Sequence, residues 1–224
     1  MLFRSRYPLT WWQYQAFLVK RFFIARYPLT WWQYQAFLED PEGYVDWRWW
    51  RGLQREDAPG EQYWPIGNRP AENVSWYDAV AYCRWASARL GHHVRLPGET
   101  EWQQAATGGK PANTHPWGPD WRAGCANTWE SRLGRSIAVG MYTAGASVHR
   151  VHDLAGNVFE WCLNEYDAPR RAKVGGSARR VVRGGSWTSE PDLARCAFRG
   201  DNVPGYRHDR LGLRLVCVSP ILKR

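Results

Sequence analysis

Thirteen residues, RYPLTWWQYQAFL, occupy positions 6–18 and recur letter for letter at 26–38. Two identical segments so close together cannot both enter one small core in the same way, so this repeat constrains the fold more than any other feature. Stacked-repeat architectures need about three units or more, and one duplication does not supply them. Each copy reads as a strand end, a proline and then a helix. In the second copy Thr30 is an N-cap with Gln33 at the third helical position, a capping box, and Tyr34, Phe37 and Leu38 share a face. In the first copy Thr10, Gln13, Tyr14, Phe17 and Leu18 repeat that pattern. RFFIA (21–25) reads as a strand leading into the second copy, so 26–38 is taken as the integrated one. The first copy is then an appendage or a partner-binding helix, or equally the trace of a recent duplication or a misassigned start.

Beyond the repeat, the clearest helix runs from an N-cap at Ser75, with Asp78 at the third position, to Gly91. Val80, Cys83, Trp85 and Leu90 carry its buried stripe. Another helix follows Pro97, from Glu99 to Ala106, and closes at Gly108–Gly109. Gly98 is a tolerable cap for it. After residue 110 helical periodicity gives way to Gly, Pro, Trp and Asn at short intervals, with brief strands in VVRGGSW (181–187) and LGLRLVCV (211–218). Gly184 and Gly185 permit positive φ or close backbone approach. The expected class is α+β, with two main helices, a small antiparallel sheet and a loop-rich second half.

Composition narrows the functions. The 224 residues include 30 basic and 21 acidic side chains, a net charge of +9. Lys stands only at 20, 110, 173 and 223, so the basic character is Arg-borne. No stretch reaches the length of about eighteen apolar residues that a membrane span requires. MLFRSRYPLTWW lacks the apolar run of a signal peptide, so a cytoplasmic location is expected. Cys83, Cys125, Cys162, Cys196 and Cys217 are odd in number and form no C-x-x-C pair. They read as buried small hydrophobes rather than as disulfides or a zinc site. The six histidines show no metal-ligand spacing.

Seven segments then occur in order: VSWYDAVAYCRWASARLG (74–91), VRLPGETEWQQAATGG (94–109), HPWG (115–118), DLAGNVFEWC (153–162), VVRGGSW (181–187), RCAFR (195–199) and LGLRLV (211–216). Together they resemble the formylglycine-generating enzyme (sulfatase-modifying factor) family, and the resemblance covers about 22–218. It implies a C-type-lectin-like fold, with 1–21 as an N-terminal extension and 219–224 as a tail.

The resemblance implies calcium in the loop DLAGNVFEW. By position the ligands would be the side chains of Asp153 and Glu160 and the carbonyls of Gly156 and Val158. Two carboxylates plus carbonyls on a tight turn suit a hard cation. The bland reading is that both acids satisfy N–H groups of a turn. A second, weaker site would use Asn127, but 129–140 lacks a clear match for its other half.

Catalysts of this family use two cysteines after the GGS motif, which bind copper(I) as thiolates. Here the segment reads GGSWTSEPDLARCAFRG. Ser189 matches the first catalytic position, no cysteine matches the second, and Cys196 matches a non-catalytic one. Hydroxyls do not replace soft thiolates, so neither copper nor formylglycine-generating activity is expected.

What remains is a binding fold. Residues 188–210 are polar, chemically mixed and fixed at both ends by motif segments, a suitable place for recognition. Thr188, Ser189, Glu190, Asp192, Phe198, Asp201, Asn202, Tyr206, His208, Asp209 and Arg210 are the candidate ligand-binding residues. The chain most resembles the variable proteins of diversity-generating retroelements, in which adenines in codons of this segment are replaced. From AAC codons that scheme reaches most residues of 188–210 but not Glu, Lys, Gln, Met or Trp, and only Glu190 falls outside it. The leading expectation is a non-catalytic protein that binds another protein or a surface ligand. Two alternatives stay open: an oxidative enzyme using Cys196 in an unusual way, and a nucleic-acid-binding module using the basic run Arg170, Arg171, Lys173, Arg179, Arg180 and Arg183. Such a run is more often a solvated loop.

Overall fold

The computed structural model describes residues 16–19 and 22–220. Elements follow in the order β1 (Ala16–Val19), β2 (Phe22–Ala25), α1 (Trp31–Glu39), α2 (Trp76–Leu90), β3 (His92–Arg95), α3 (Glu99–Thr107), β4 (Phe159–Glu165), β5 (Arg180–Arg183), β6 (Gly200–Asn202), β7 (Leu211–Leu213) and β8 (Val216–Pro220). The α+β class holds. In detail the described residues form two four-stranded sheets, ordered β1-β2-β8-β3 and β6-β5-β4-β7. The first is antiparallel throughout, whereas β4 and β7 pair in parallel. No described helix is long and apolar enough to cross a membrane.

The two copies of the repeat take different structures where both are described. In the second copy Ala36–Glu39 ends helix α1, but in the first Ala16–Val19 is an edge strand paired to β2. The expectation of a helix there is corrected for 16–18, and 6–15 lies outside the described residues. Strand pairing decides this: Phe17 stands opposite Ile24 and Leu18 opposite Phe23, so the local helical pattern yields to a sheet partner.

Helix α1 starts as its sequence dictates. Gln33 Oε1 accepts from the Thr30 N–H at 2.9 Å and from its hydroxyl at 3.1 Å. Trp31 and Trp32 donate their N–H groups to the carbonyls of Arg69 and Gly67 at 2.8 and 3.0 Å. The Trp32 indole lies so close over Gly67 that a Cβ there would meet it at 2.0 Å, so this contact requires glycine. Tyr34 and Phe37 face the core and make tilted and edge-on ring contacts with Tyr82 and Trp85 of α2. Helix α2 has its capping box in place, Asp78 N to Ser75 Oγ at 3.1 Å and Ser75 N to Asp78 Oδ2 at 2.8 Å. It is buried almost all round rather than along one stripe, as befits a central helix.

The run LGLRLVCV, read as one strand, divides between the sheets. Leu211–Leu213 joins β4 and Val216–Pro220 joins β2 and β3. Arg214 sits at the crossing with no exposed surface. Gly184 and Gly185 both have positive φ, 93° and 74°, and turn the chain out of β5 into the 188–210 segment.

Candidate functional site: the 188–210 segment and the 153–160 loop

Five residues pin 188–210 to the scaffold. Ser189 is buried, and its Oγ accepts from the Ser186 N–H at 2.9 Å while its carbonyl accepts from Trp129 at 3.0 Å. Among the candidate ligand-binding residues it is therefore the one whose hydroxyl closes a turn beneath the surface. Cys196 is buried and donates its N–H to Thr114 O at 2.8 Å. Arg199 pairs with Glu99, which also takes Arg183 at 2.6 Å. Pro204 O accepts from Trp76 at 2.9 Å. Arg207 forks Asp78 of α2, Nε to Oδ2 at 2.8 Å and Nη2 to Oδ1 at 2.9 Å. That bidentate pair, with Asp78 almost wholly buried, raises the Arg207 guanidinium above its ordinary range even though desolvation opposes it.

Between the pins, residues are displayed in three groups. Glu190 and Asp192 are exposed on the turn Pro191–Ala194. Asp201 and Asn202 lie on strand β6, where Asp201 pairs with Arg179, and Phe198 packs 6.3 Å from the Phe159 ring. The third group is brought together most closely. Arg210 Nη1 donates to Thr188 Oγ1 at 2.8 Å and its Nη2 lies 3.5 Å from His208 Nε2. His208 pairs with Asp209 and lies 5.8 Å, ring to ring, from the exposed Tyr206. Leu193 and Val203, exposed apolar residues, were not among the sequence candidates.

Nor were residues of an earlier loop that joins this third group. Trp64 meets Trp187 edge-on at 5.7 Å, and Tyr63 stands against Trp64 at 5.4 Å with two-thirds of its surface exposed. Beneath them Glu72 is buried. It accepts from Trp64 N at 2.9 Å and lies 3.3 Å from the Ser136 hydroxyl. Burial, assisted by the charge of Asp209, pushes its carboxyl up to about 7. The available signal was YWPIG (63–67), two aromatic residues directly before a Pro-x-Gly turn.

In the 153–160 loop the expected ligands are already engaged to different degrees. Glu160 Oε2 accepts from Trp102 Nε1 at 2.7 Å and from Arg214 Nε at 2.9 Å, and its Oε1 accepts from Arg214 Nη2 at 2.7 Å. A carboxylate offers about four acceptor positions, so one remains. Asp153 Oδ2 accepts from Gly140 N at 2.7 Å, and burial pushes this carboxyl up to about 6. Asp153, Gly156 and Asn157 all have positive φ, which winds the loop tightly. One spare Glu160 position, the second Asp153 oxygen and the Gly156 and Val158 carbonyls suit a hard cation in kind. Asn127 is partly engaged: its amide donates to Arg135 O at 3.0 Å and its Oδ1 accepts from Ser131 at 2.8 Å. Among the described residues no three His, Cys, Asp or Glu side chains gather to hold a metal.

All five cysteines are buried, and none is in a disulfide among the described residues. Burial pushes the Cys196 thiol up to about 12, which disfavours its thiolate form. The basic run also divides. Arg170, Arg171, Lys173 and Arg179 are exposed, but Arg180 stacks on Trp76 at 4.0 Å and Arg183 pairs with Glu99 inside the core. Two of the six cations offered for phosphate binding are thus structural.

A family profile described as the sulfatase-modifying factor enzyme 1-like domain matches residues 13–218. The chain is 33% identical over 212 residues to hercynine oxygenase of Mycobacterium tuberculosis, covering 79% of this chain and 48% of that protein. It is 32% identical over 190 residues to inactive C-alpha-formylglycine-generating enzyme 2 of Bos taurus, covering 76% and 58%. The chain thus spans about half the length of the curated relatives it matches. Among solved structures, Treponema denticola variable protein 1 matches with a TM-score of 0.69 at 24% identity, over 88% of this chain and 84% of that one, a likeness of fold.

Proposed function

This chain belongs to the sulfatase-modifying factor enzyme 1-like family, and from that membership we propose that it is a non-catalytic member that displays residues 188–210 as a ligand-binding surface. The observation that carries the reading is Ser189. It stands where the family's catalysts place a cysteine, and its hydroxyl is buried and committed to the Ser186 N–H. The likeness to a bovine relative named as inactive supports the same reading. The pinned and displayed residues of 188–210 are what a diversified recognition surface needs: fixed backbone with replaceable side chains. The proposed partner is a protein or another surface-borne ligand, and the proposed setting is the cytoplasm. We further propose a structural calcium in the 153–160 loop, held by Asp153, Glu160 and the carbonyls of Gly156 and Val158.

Two experiments test this. Sequencing the DNA beside the gene looks for a near-copy of the 188–210 coding segment, differing at adenines, next to a reverse transcriptase. Finding it supports diversification, and its absence leaves a fixed binding protein. Incubating the protein with copper(I), oxygen and a cysteine-containing sulfatase peptide tests catalysis, and turnover would overturn the non-catalytic reading.

A second reading is favoured by the 33% identity to hercynine oxygenase. In it the domain serves an oxygen-dependent enzyme. Oxygen consumption with iron(II) and a histidine-derived substrate is the measurement that would select it.

A further inference from the structure

The surface beside Arg210 holds hydrogen-bond donors that lack acceptors. Arg69 Nη1 and the Trp187 indole nitrogen are both shielded from solvent and find no hydrogen-bond partner. Leaving such donors unpaired is unfavourable. Both residues are part-exposed, so the two nitrogens sit just beneath the surface rather than deep in the core. One aromatic ring joins them: the Arg69 guanidinium stands 6.0 Å from the Trp64 centroid, and Trp64 meets Trp187 at 5.7 Å. One residue further along, Thr188 accepts from Arg210 at 2.8 Å.

The charges point the same way. Among the described residues, the ion pairs of the neighbouring segments use Asp78, Asp209 and Glu160, and neither Arg69 nor Arg210 takes part in one. Burial and the nearby Arg135 pull the Arg69 guanidinium below its ordinary range, and Glu72 opposes them less strongly. Arg69 is held there by its backbone, whose carbonyl caps α1 through Trp31 N at 2.8 Å and whose N–H donates to Ile66 O at 2.9 Å. An Arg69 N–H and an indole N–H without acceptors, both beside the Trp64 ring, are complementary to a negatively charged group with several oxygens.

We propose that Arg69 and Trp187, both set against Trp64, together with Arg210, which holds Thr188 next to Trp187, form a binding site for an oxyanion: a carboxylate, sulfate or phosphate group. As the anchor point of the ligand that 188–210 recognises, the inference rests on the display reading. As an anion site it stands on its own geometry, and it is tested with free anions.

The full chain is titrated with sodium acetate, sulfate and phosphate at constant ionic strength set by sodium chloride, following tryptophan fluorescence and Tm. A saturable change with at least one anion, absent with chloride, is expected, and the anion that acts identifies the group. Arg69→Gln should weaken it about tenfold, a loss of about 1.4 kcal/mol. Trp187→Phe, which keeps a ring and removes the N–H, should weaken it several-fold. Arg69→Lys, which keeps charge and loses the fork, should fall between wild type and Arg69→Gln, and it serves where Arg69→Gln fails to fold. Arg170→Gln with Arg171→Gln, on an exposed loop elsewhere, should leave the response unchanged. An absent response, or equal weakening by the Arg170 and Arg171 changes, overturns the site. Anion binding without any macromolecular ligand would sink the display reading alone. Ligand capture that ignores Arg69 and Trp187 would sink the anchor role alone.

Discussion

Arg214 grips Glu160 with two nitrogens, Nε to Oε2 at 2.9 Å and Nη2 to Oε1 at 2.7 Å, and neither side chain has exposed surface. The same guanidinium donates to Ala25 O at 2.9 Å and to His152 O at 2.7 Å. One side chain therefore ties β2 of the first sheet to β4 of the second, at the point where the chain passes from β7 to β8. Removing one partner strands a buried charge, at a cost of about 3–5 kcal/mol. Arg214→Met should lower the urea midpoint accordingly, and Arg214→Met with Glu160→Leu should recover part of the loss. Equal destabilisation by the single and double changes would show that the backbone contacts, not the ion pair, hold the crossing.

Glu72 makes stability depend on pH. Its ordinary carboxyl value is 4.5, and burial in the folded chain pushes it to about 7. Between those values the folded state holds more protons than the unfolded one. Stability from this group is therefore full below about 4.5 and is lost as pH rises through about 7. The groups facing it are Trp64 N, Gln62, Ser136, Arg69 and Asp209. Glu72→Gln should flatten the slope of urea stability between pH 5 and pH 7 by at most about 1.4 kcal/mol per pH unit. An unchanged slope would place the titration elsewhere.

Pins and displayed residues should separate cleanly in stability. Arg207→Ala removes the partner of the buried Asp78 and should cost about 3–5 kcal/mol. Asp192→Ala, Val203→Ala and Tyr206→Ala alter exposed side chains and should stay within about 0.5 kcal/mol of wild type. Thermal or urea unfolding of the set decides it. A large loss at Tyr206 would mean the segment is packed rather than displayed.

The proposed calcium makes a similarly direct prediction. Adding calcium to the chelator-treated protein should raise Tm, and Asp153→Asn should abolish that rise while the Arg214–Glu160 pair keeps the fold. A Tm indifferent to calcium would leave Glu160 serving Arg214 and Trp102 alone.

Much of this was legible in the sequence because it is local. The caps at Thr30 and Ser75 and the glycine turn at 184–185 depend on neighbours in the chain, and each is in place. What was not legible depends on distant partners. The basic run gives no sign that Arg180 stacks on Trp76 or that Arg183 seeks Glu99. LGLRLVCV alternates like one strand, and only the far side of the core shows that Arg214 divides it. Within the site, the residues of 188–210 were visible by composition, but Trp64, Arg69 and Glu72 join them from over a hundred residues away. Ser189 shows its residue type in the sequence and its burial only in the fold.

The repeat leaves a last question of which copy builds α1, and the strand ahead of each copy answers it. Ahead of the second copy stand Phe22, Phe23, Ile24 and Ala25, of which Phe22, Ile24 and Ala25 are buried. The same positions ahead of the first copy hold Leu2, Phe3, Arg4 and Ser5. Using the first copy would put Arg4 in the place of Ile24, which has no exposed surface, and an unpaired buried charge is prohibitive. The twenty extra residues this would loop out before Asp40 cost little, since loop-closure entropy rises by only about 0.6 kcal/mol per doubling. The choice therefore rests on β2 and not on the helix. Ile24→Arg should unfold the protein, and adding Arg4→Ile with Ser5→Ala should restore it by letting the first copy supply both strand and helix. Far-ultraviolet circular dichroism with urea unfolding measures the rescue. Failure of the triple variant to refold would show that the first copy cannot reach the α1 position, and that chain geometry rather than residue 24 makes the selection.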